Sequence, residues 1–403
     1  MTRTSRQAAV PKPVNGFAIW LTVGLLVAAI ITATPIAAYG FPTTSSSEEA
    51  FRPLPDLEQN PTGPSTTNRF TEGNVVITRN VVTATIGDTV LTADIYQPAT
   101  PGTGRPAVVL VHGGAWFQGA PSDMDDQGKL VAEQGWVAFS ISYRLATTTR
   151  SSWPEVLSDV QRGIRWVGAN ASTYGADPDK IAVLGASAGG HLAAMIAIVG
   201  TTDFGALTGQ SPPDPNPPVT VKAVAAWSPP TLLADLVGTG GQPPQACGAN
   251  ADCRLFWTVP IIPTFLGCEP NACPDRYKQA SPAEQVKPNT TPMWLANSTE
   301  EIIPLSQLQV LTDALTRAGV EHEVRILDGR EHAGNFTAKV WNDMIPWLAE
   351  KLGVPAPRPV TFQGQVGEAL KKPLTIAGIV VAVLTVFVLA AAYRRSRHDL
   401  VPS

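Results

Sequence analysis

The sequence has few charged side chains and no excess of basic ones, and this shortage excludes one class of partner. Charged residues make up 15% of the 403 residues, and aspartate and glutamate outnumber lysine and arginine by 33 to 29. The acidic excess is larger over residues 44–353, because many of the basic residues lie near the two ends. Such a surface repels phosphate backbones, so we do not expect nucleic acid as a partner.

Cysteine is also scarce. The four cysteines, Cys247, Cys253, Cys268 and Cys273, all lie in one short stretch of the chain. They lack the CxxC spacing of zinc sites and no histidine lies among them, so we expect no metal. Two local disulfides fit better, and proximity favours 247–253 with 268–273 over the two other pairings. Disulfides would indicate an oxidising compartment, and four free thiols remain the alternative for a domain that is not exported.

Charge is absent from two long terminal stretches, residues 13–47 and 373–393. Each contains enough apolar residues to cross a bilayer, which takes about 20 of them. Arg3, Arg6 and Lys12 precede the first stretch, and three arginines from Arg394 onward follow the second. The positive-inside rule then predicts cytoplasmic termini and an extracytoplasmic region between them, tethered to the cell membrane. A cleaved signal peptide is the alternative to a retained anchor within residues 1–43.

Composition divides the rest of the chain. Residues 44–70 and 354–372 are rich in polar residues and proline, which predicts two solvated spacers around a folded domain at 71–353. Residues 394–403 form a cytoplasmic tail. Within the domain, residues 228–287 contain all four cysteines and many prolines and glycines. We interpret this insertion as a cap over the functional site, with a loop that serves stability alone as the alternative.

Apolar segments alternate between strand-like and helix-like patterns across the domain. An α/β fold follows, with a mostly parallel eight-stranded sheet flanked by helices. The predicted strands are 75–85, 89–96, 107–111, 137–143, 181–184, 221–227, 292–296 and 323–327. The predicted helices are 128–134, 153–171, 188–199, 305–318 and a last one near 340–352.

The strongest functional motif is Gly-Ala-Ser-Ala-Gly-Gly at residues 185–190, where a predicted strand ends and a helix begins. A serine on such a sharp turn exposes its hydroxyl, and the small neighbours avoid collisions with the adjacent strand and helix. The helix N-terminus behind it favours developing negative charge. Ser187 is therefore the predicted nucleophile.

An acyl-transfer serine needs donors for the oxyanion and a general base. His-Gly-Gly-Ala-Trp at residues 112–116 follows a predicted strand, which makes the N–H groups of Gly113 and Gly114, with that of Ala188, the natural oxyanion donors. The chain has five histidines. His332 is the predicted base by elimination. His112 belongs to the glycine loop, and His191 is expected to pack within the helix behind Ser187. His322 lies at the entry of a strand and His398 in the predicted cytoplasmic tail, which leaves His332 in a loop just beyond the strand at 323–327.

The acid of the triad is expected in the loop after the preceding strand, which contains Glu300 and Glu301. We take Glu300 as the acid, with Glu301 and Asp328 as alternatives. Trp116 and Phe117 are predicted to line an acyl pocket, although either could belong to the core.

These motifs, together with Tyr143-Arg144-Leu145 and residues 174–178, resemble the esterase and lipase branch of the α/β-hydrolases. That branch includes hormone-sensitive-lipase-like carboxylesterases, feruloyl-type esterases and kynurenine formamidase. The resemblance spans nearly all of residues 71–353. It departs at the acid, since the family usually has Asp followed three residues later by Val-Pro, whereas here Glu300 leads to Ile303-Pro304.

The sequence thus predicts a serine carboxylesterase or lipase that acts on small-molecule or lipid esters through an acyl-enzyme, without metal or organic cofactor. A serine amidase or peptidase of the same fold and an inert hydrolase-like binding module are the alternatives.

Overall fold

In a computed structural model, residues 67–202, 204, 213–238, 242–257 and 259–362 are described. The predicted membrane segments and the residues nearest the two termini lie outside this part of the chain. Among the described residues, no helix is both long and apolar enough to cross a bilayer.

The core of the domain is a sheet in which nine strands are described, rather than the predicted eight. The strands are β1 (Asn68–Glu72), β2 (Val75–Ile86), β3 (Thr89–Pro98), β4 (Arg105–Val111), β5 (Val137–Ile141), β6 (Ala176–Ala186), β7 (Val221–Trp227), β8 (Met293–Ser298) and β9 (His322–Leu327). Their order is β1-β2-β3-β5-β4-β6-β7-β8-β9. The first three strands are antiparallel, and the six from β4 to β9 are mutually parallel.

Strand β1 is the one that pattern reading missed. All five of its residues are exposed, so it lacks the alternation of apolar and polar residues that identifies a half-buried strand. It pairs with β2 at the edge of the sheet, and its first residues fall within the predicted spacer 44–70.

Helices cover both faces of the sheet. The helices are α1 (Asp125–Glu133), α2 (Glu155–Asn170), α3 (Ala188–Val199), α4 (Ala251–Phe256), α5 (Ile261–Leu266), α6 (Pro274–Ala280), α7 (Pro282–Gln285), α8 (Leu305–Ala318) and α9 (Thr337–Lys351). The apolar stripes of α2, α3 and α8 pack on one face, while α1 and α9 pack on the other. Successive residues of the central strands therefore point into two separate cores, which is why these strands are apolar throughout.

The insertion between β7 and β8 is not a loop without regular structure. It contains the four short helices α4 to α7, and its apolar side chains join the same core as α2 and α3. Both predicted disulfides are present, Cys247–Cys253 and Cys268–Cys273. The segment after α9 also differs from a solvated spacer, because Val354, Val360 and Phe362 pack against the core on the α9 side.

Candidate active site

The parallel sheet brings five chain segments to one edge. Strands β4, β6, β7, β8 and β9 all run in the same direction, so the residues that follow them lie at their shared carboxyl end. Ligand sites of open α/β sheets lie at this edge. The residues concerned are Gly113, Ser187, Ser228, Glu301 and His332.

Ser187 occupies the turn between β6 and α3. Its φ of 57° and ψ of −119° are unusual for a residue with a side chain, and its N–H donates to the Trp227 carbonyl at 2.8 Å. The turn is possible because the next residues are small: a Cβ at Gly189 would lie 2.0 Å from the Val111 carbonyl oxygen. Such a strained backbone at a strand-to-helix turn is typical of functional sites. Ser187 is half-buried, so it is partly accessible to solvent.

The glycine loop after β4 lies directly beside this serine. A Cβ at Gly113 would lie 3.2 Å from the Ser187 Cβ and 3.0 Å from the Ala186 carbonyl oxygen. Ala188 is the first residue of α3, and the first N–H groups of a helix have no acceptor within the helix. The predicted oxyanion donors thus belong to two segments that meet at Ser187.

His112 and Tyr143 pack against each other and stabilise the glycine loop, residues 112–116. The two rings stack with centroids 4.2 Å apart, and the Tyr143 hydroxyl donates to the His112 carbonyl at 2.8 Å. Burial lowers the pKa of His112, so the ring is neutral. The ring is buried and its Nδ1 contacts the Gly113 carbonyl at 2.8 Å, so His112 holds the loop in place and is not accessible to a substrate.

His332 contacts a glutamate directly, but that glutamate is Glu301 and not Glu300, the residue predicted as the acid. The Glu301 carboxylate contacts the Nδ1 of His332 through Oε2. Glu301 is 2% exposed, whereas Glu300 points to solvent. Asp328, the other alternative, is exposed as well. With Nδ1 bonded to a carboxylate, the Nε2 of His332 is the nitrogen free to act as a base.

Ser228 joins the acid to the histidine loop, a role that sequence reasoning did not identify. Its hydroxyl donates to Glu301 Oε1 at 2.7 Å and accepts from the Ala333 N–H at 3.0 Å. The Ser298 N–H also donates to Oε1, at 2.8 Å. The two bonds to Oε1 hold the carboxylate of Glu301, rather than that of Glu300, beside the histidine loop. No sequence motif marks Ser228, which is a lone serine after β7.

Trp116 was predicted to contact substrate, and the structure instead places it in the core. Its side chain is 1% exposed and stacks on Phe265 of the insertion, with ring centroids 4.3 Å apart. The indole N–H donates to His191 Nδ1 at 3.2 Å. Phe117 is half-buried and packs against the same cluster.

His191 has the packing role expected of it. With Nδ1 accepting from Trp116, Nε2 carries the proton and donates to the Ala280 carbonyl at 2.8 Å. Complete burial lowers the pKa of His191 to about 4. The neutral ring therefore connects three parts of the domain: the glycine loop, the helix behind Ser187 and the insertion.

A cavity of about 370 Å³ opens beside residues 299–304, the loop between β8 and α8 that contains Glu300 and Glu301 and is called the acid loop below. Its lining residues are Ala249, Asn250, Ala251, Thr299, Glu300 and Arg330, and they include neither Ser187 nor His332. We therefore do not assign this cavity as the acyl pocket.

Comparison with known proteins points to one family. The BD-FAE family model matches residues 93–315, which is more than half of the chain. Esterase LipQ of Mycobacterium tuberculosis is 29% identical over 249 residues, covering 61% of this chain and 54% of that protein. Carboxylesterase NlhH of the same organism is 37% identical over 105 residues, covering 26% of this chain and 32% of that protein. The matched region thus spans 54% of the length of LipQ and 32% of the length of NlhH.

Solved structures share the fold. The propionate-bound esterase Est2 of Thermogutta terrifontis aligns with a TM-score of 0.52 at 24% identity, covering 69% of this chain and 95% of that one. A truncated carbohydrate esterase from gut microbiota aligns with a TM-score of 0.55 at 22% identity, covering 72% and 97%. At these identities the likeness establishes the α/β-hydrolase fold alone.

Proposed function

The chain belongs to the BD-FAE family, and from this premise we propose that its folded domain is a serine carboxylic ester hydrolase that works through an acyl-enzyme. The observation that carries the proposal is the Glu301–His332 contact at the sheet edge where Ser187 stands on its strained turn. A nucleophile, a base and an acid on three separate segments at one edge are the set that acyl transfer needs.

In the proposed reaction, Nε2 of His332 takes the Ser187 proton while Oγ attacks the ester carbonyl. The Glu301 carboxylate stabilises the imidazolium that forms, and the Gly113, Gly114 and Ala188 N–H groups stabilise the oxyanion. His332 then protonates the leaving alcohol as the carbonyl re-forms. A water molecule, deprotonated by the same imidazole, attacks the acyl-enzyme, and the acid leaves as Ser187 regains its proton.

Small-molecule esters with short or medium acyl groups are the substrates we propose first, and lipid esters second. The names of LipQ, NlhH and Est2 refer to esterases, which supports the ester class without identifying the compound.

The test is hydrolysis of chromogenic acyl esters of graded chain length by the purified chain, with Ser187→Ala and Ser172→Ala as a matched pair. Ser172 is exposed, so its variant controls for the loss of a serine hydroxyl. We expect Ser187→Ala to lose at least about 10³-fold in kcat, and Ser172→Ala to match the wild type. Full activity in Ser187→Ala, or wild-type cleavage of amides but not esters, would contradict the proposal.

We also propose that the domain is exported and tethered to the membrane by its ends. Two charge-free terminal stretches with basic flanks support this topology, and two disulfides fit an oxidising compartment. Protease added to intact cells should digest the domain and leave a cytoplasmic marker untouched. A protected domain, or recovery of the full chain in the soluble fraction of lysed cells, would contradict it.

A further inference from the structure

Three successive backbone carbonyls of the acid loop accept hydrogen bonds from two side chains of the insertion. The Asn250 Nδ2 donates to the carbonyls of Glu300 at 2.7 Å and Glu301 at 2.8 Å. The Trp257 Nε1 donates to the Ile302 carbonyl at 2.7 Å. Buried indole N–H groups seek such partners, and Trp257 is 3% exposed.

The side chain of Asn250 is itself fixed. Its Oδ1 accepts from the N–H groups of Asp252 and Cys253, both at 3.0 Å, and so caps helix α4. The Cys247–Cys253 disulfide closes the loop that contains it. Both ends of the Asn250 amide are therefore used, which defines its orientation.

These bonds set the orientation of the peptide planes on both sides of Glu301. The direction of a side chain follows from the backbone on either side of it, so fixed carbonyls at 300, 301 and 302 determine which glutamate faces His332. Glu301 is buried and Glu300 is exposed, although the two residues are chemically identical neighbours. A shift of this loop by one residue would bring the Glu300 side chain to His332 and turn the Glu301 side chain towards solvent.

We propose that Asn250 and Trp257 are positioning residues, through which the insertion selects Glu301 as the acid of the triad. The inference rests on the proposed function, because it assigns the carboxylate that supports His332 in that reaction. It gives the insertion a role in the catalytic step itself.

Asn250→Asp is the decisive variant. An aspartate keeps the oxygen that caps α4 but replaces the donor with a second oxygen facing two carbonyls. We expect kcat/KM to fall at least about tenfold, mainly through kcat, since a misplacement of about 1 Å can cost that much. The melting temperature should stay within a few degrees, because the cap is retained.

Trp257→Phe tests the third bond and has a matched control. It removes one indole N–H with a bonded acceptor, and we expect a loss of about three- to tenfold in kcat/KM. Trp341→Phe makes the same chemical change where the indole N–H has no hydrogen-bond partner among the described residues. That variant should keep the wild-type kcat/KM.

Two readouts separate positioning from a general loss of structure. A misplaced carboxylate at His332 should lower kcat and leave KM nearly unchanged, whereas a general loss of structure should change both constants and the melting temperature. The proton that His332 Nδ1 shares with Glu301 should give a low-field NMR resonance in the wild type that is lost in Asn250→Asp, whether or not any ester is turned over.

Unchanged kcat/KM together with a retained resonance in Asn250→Asp would overturn the inference. A wild-type chain that hydrolyses no ester would overturn the proposed function instead, and the resonance would still decide whether Asn250 positions Glu301.

Discussion

Replacing each of the two neighbouring glutamates with glutamine separates the acid of the triad from its exposed neighbour. In Glu301→Gln the side-chain oxygen can still accept from the Ser298 N–H and the Ser228 hydroxyl, as Oε1 does at 2.8 and 2.7 Å. The amide NH₂ would then face the Nδ1 of His332. That nitrogen must accept, which moves the imidazole proton to Nε2.

A proton on Nε2 prevents His332 from taking the Ser187 proton. The same loss of the working tautomer in a serine protease lowers kcat about 10⁴-fold, so we expect a loss of about 10³- to 10⁴-fold here. The fold should survive, because shape and two of the three bonds are retained. Glu300→Gln changes an exposed side chain and should alter kcat less than about twofold.

The assay is initial-rate hydrolysis of a chromogenic short-chain ester by both variants and the wild type, with thermal melting of each. A large loss in Glu300→Gln with near-normal activity in Glu301→Gln would refute the assignment of Glu301. Equal small losses in both would refute the requirement for a carboxylate at His332.

Three further predictions concern the residues around the triad. Ser228→Ala should lower kcat about tenfold and leave KM nearly unchanged, because Glu301 Oε1 and the Ala333 N–H each lose a partner; unaltered steady-state kinetics would contradict this. Gly113→Ala should lower kcat about 10- to 100-fold, since its Cβ would lie 3.0 Å from the Ala186 carbonyl oxygen and displace the oxyanion donors; a wild-type kcat would contradict the requirement for a glycine at this close approach. Burial lowers the pKa of His191 from 6.5 to about 4, so below pH 6.5 the unfolded chain binds a proton that the folded chain does not bind. We therefore expect the free energy of unfolding to fall by up to about 3 kcal/mol as the pH falls from 6.5 towards 4. Denaturant titrations of wild type and His191→Gln should show a weaker pH dependence in the variant.

Local sequence was sufficient to predict the turn at Ser187 because the context of that turn is contiguous in the chain. Strand β6, the turn at Ser187 and helix α3 follow one another in the chain, so small residues after an apolar strand predict the turn directly. Helix α3 begins and ends where its sequence pattern predicted, at Ala188–Val199.

The acid could not be read from sequence in the same way, because distant residues determine it. The Glu301 carboxylate accepts a hydrogen bond from Ser228, 73 positions earlier in the chain, and the carbonyls of its loop accept from Asn250 and Trp257 of the insertion. For the same reason the sequence left open whether Trp116 lines an acyl pocket or belongs to the core, since Phe265, its stacking partner, lies in the insertion as well. Strand β1 escaped detection because none of its side chains is buried.

The buried cluster of the rings of Trp116, His191 and Phe265 also bears on how a substrate reaches Ser187. If the insertion swung away from the sheet, Phe265 would leave the indole and the Ala280 carbonyl would leave the imidazole, exposing apolar rings and breaking the 2.8 Å bond. Such an opening would cost these contacts, so if the proposed function is right, the rate should rise smoothly with ester concentration through the onset of micelle formation.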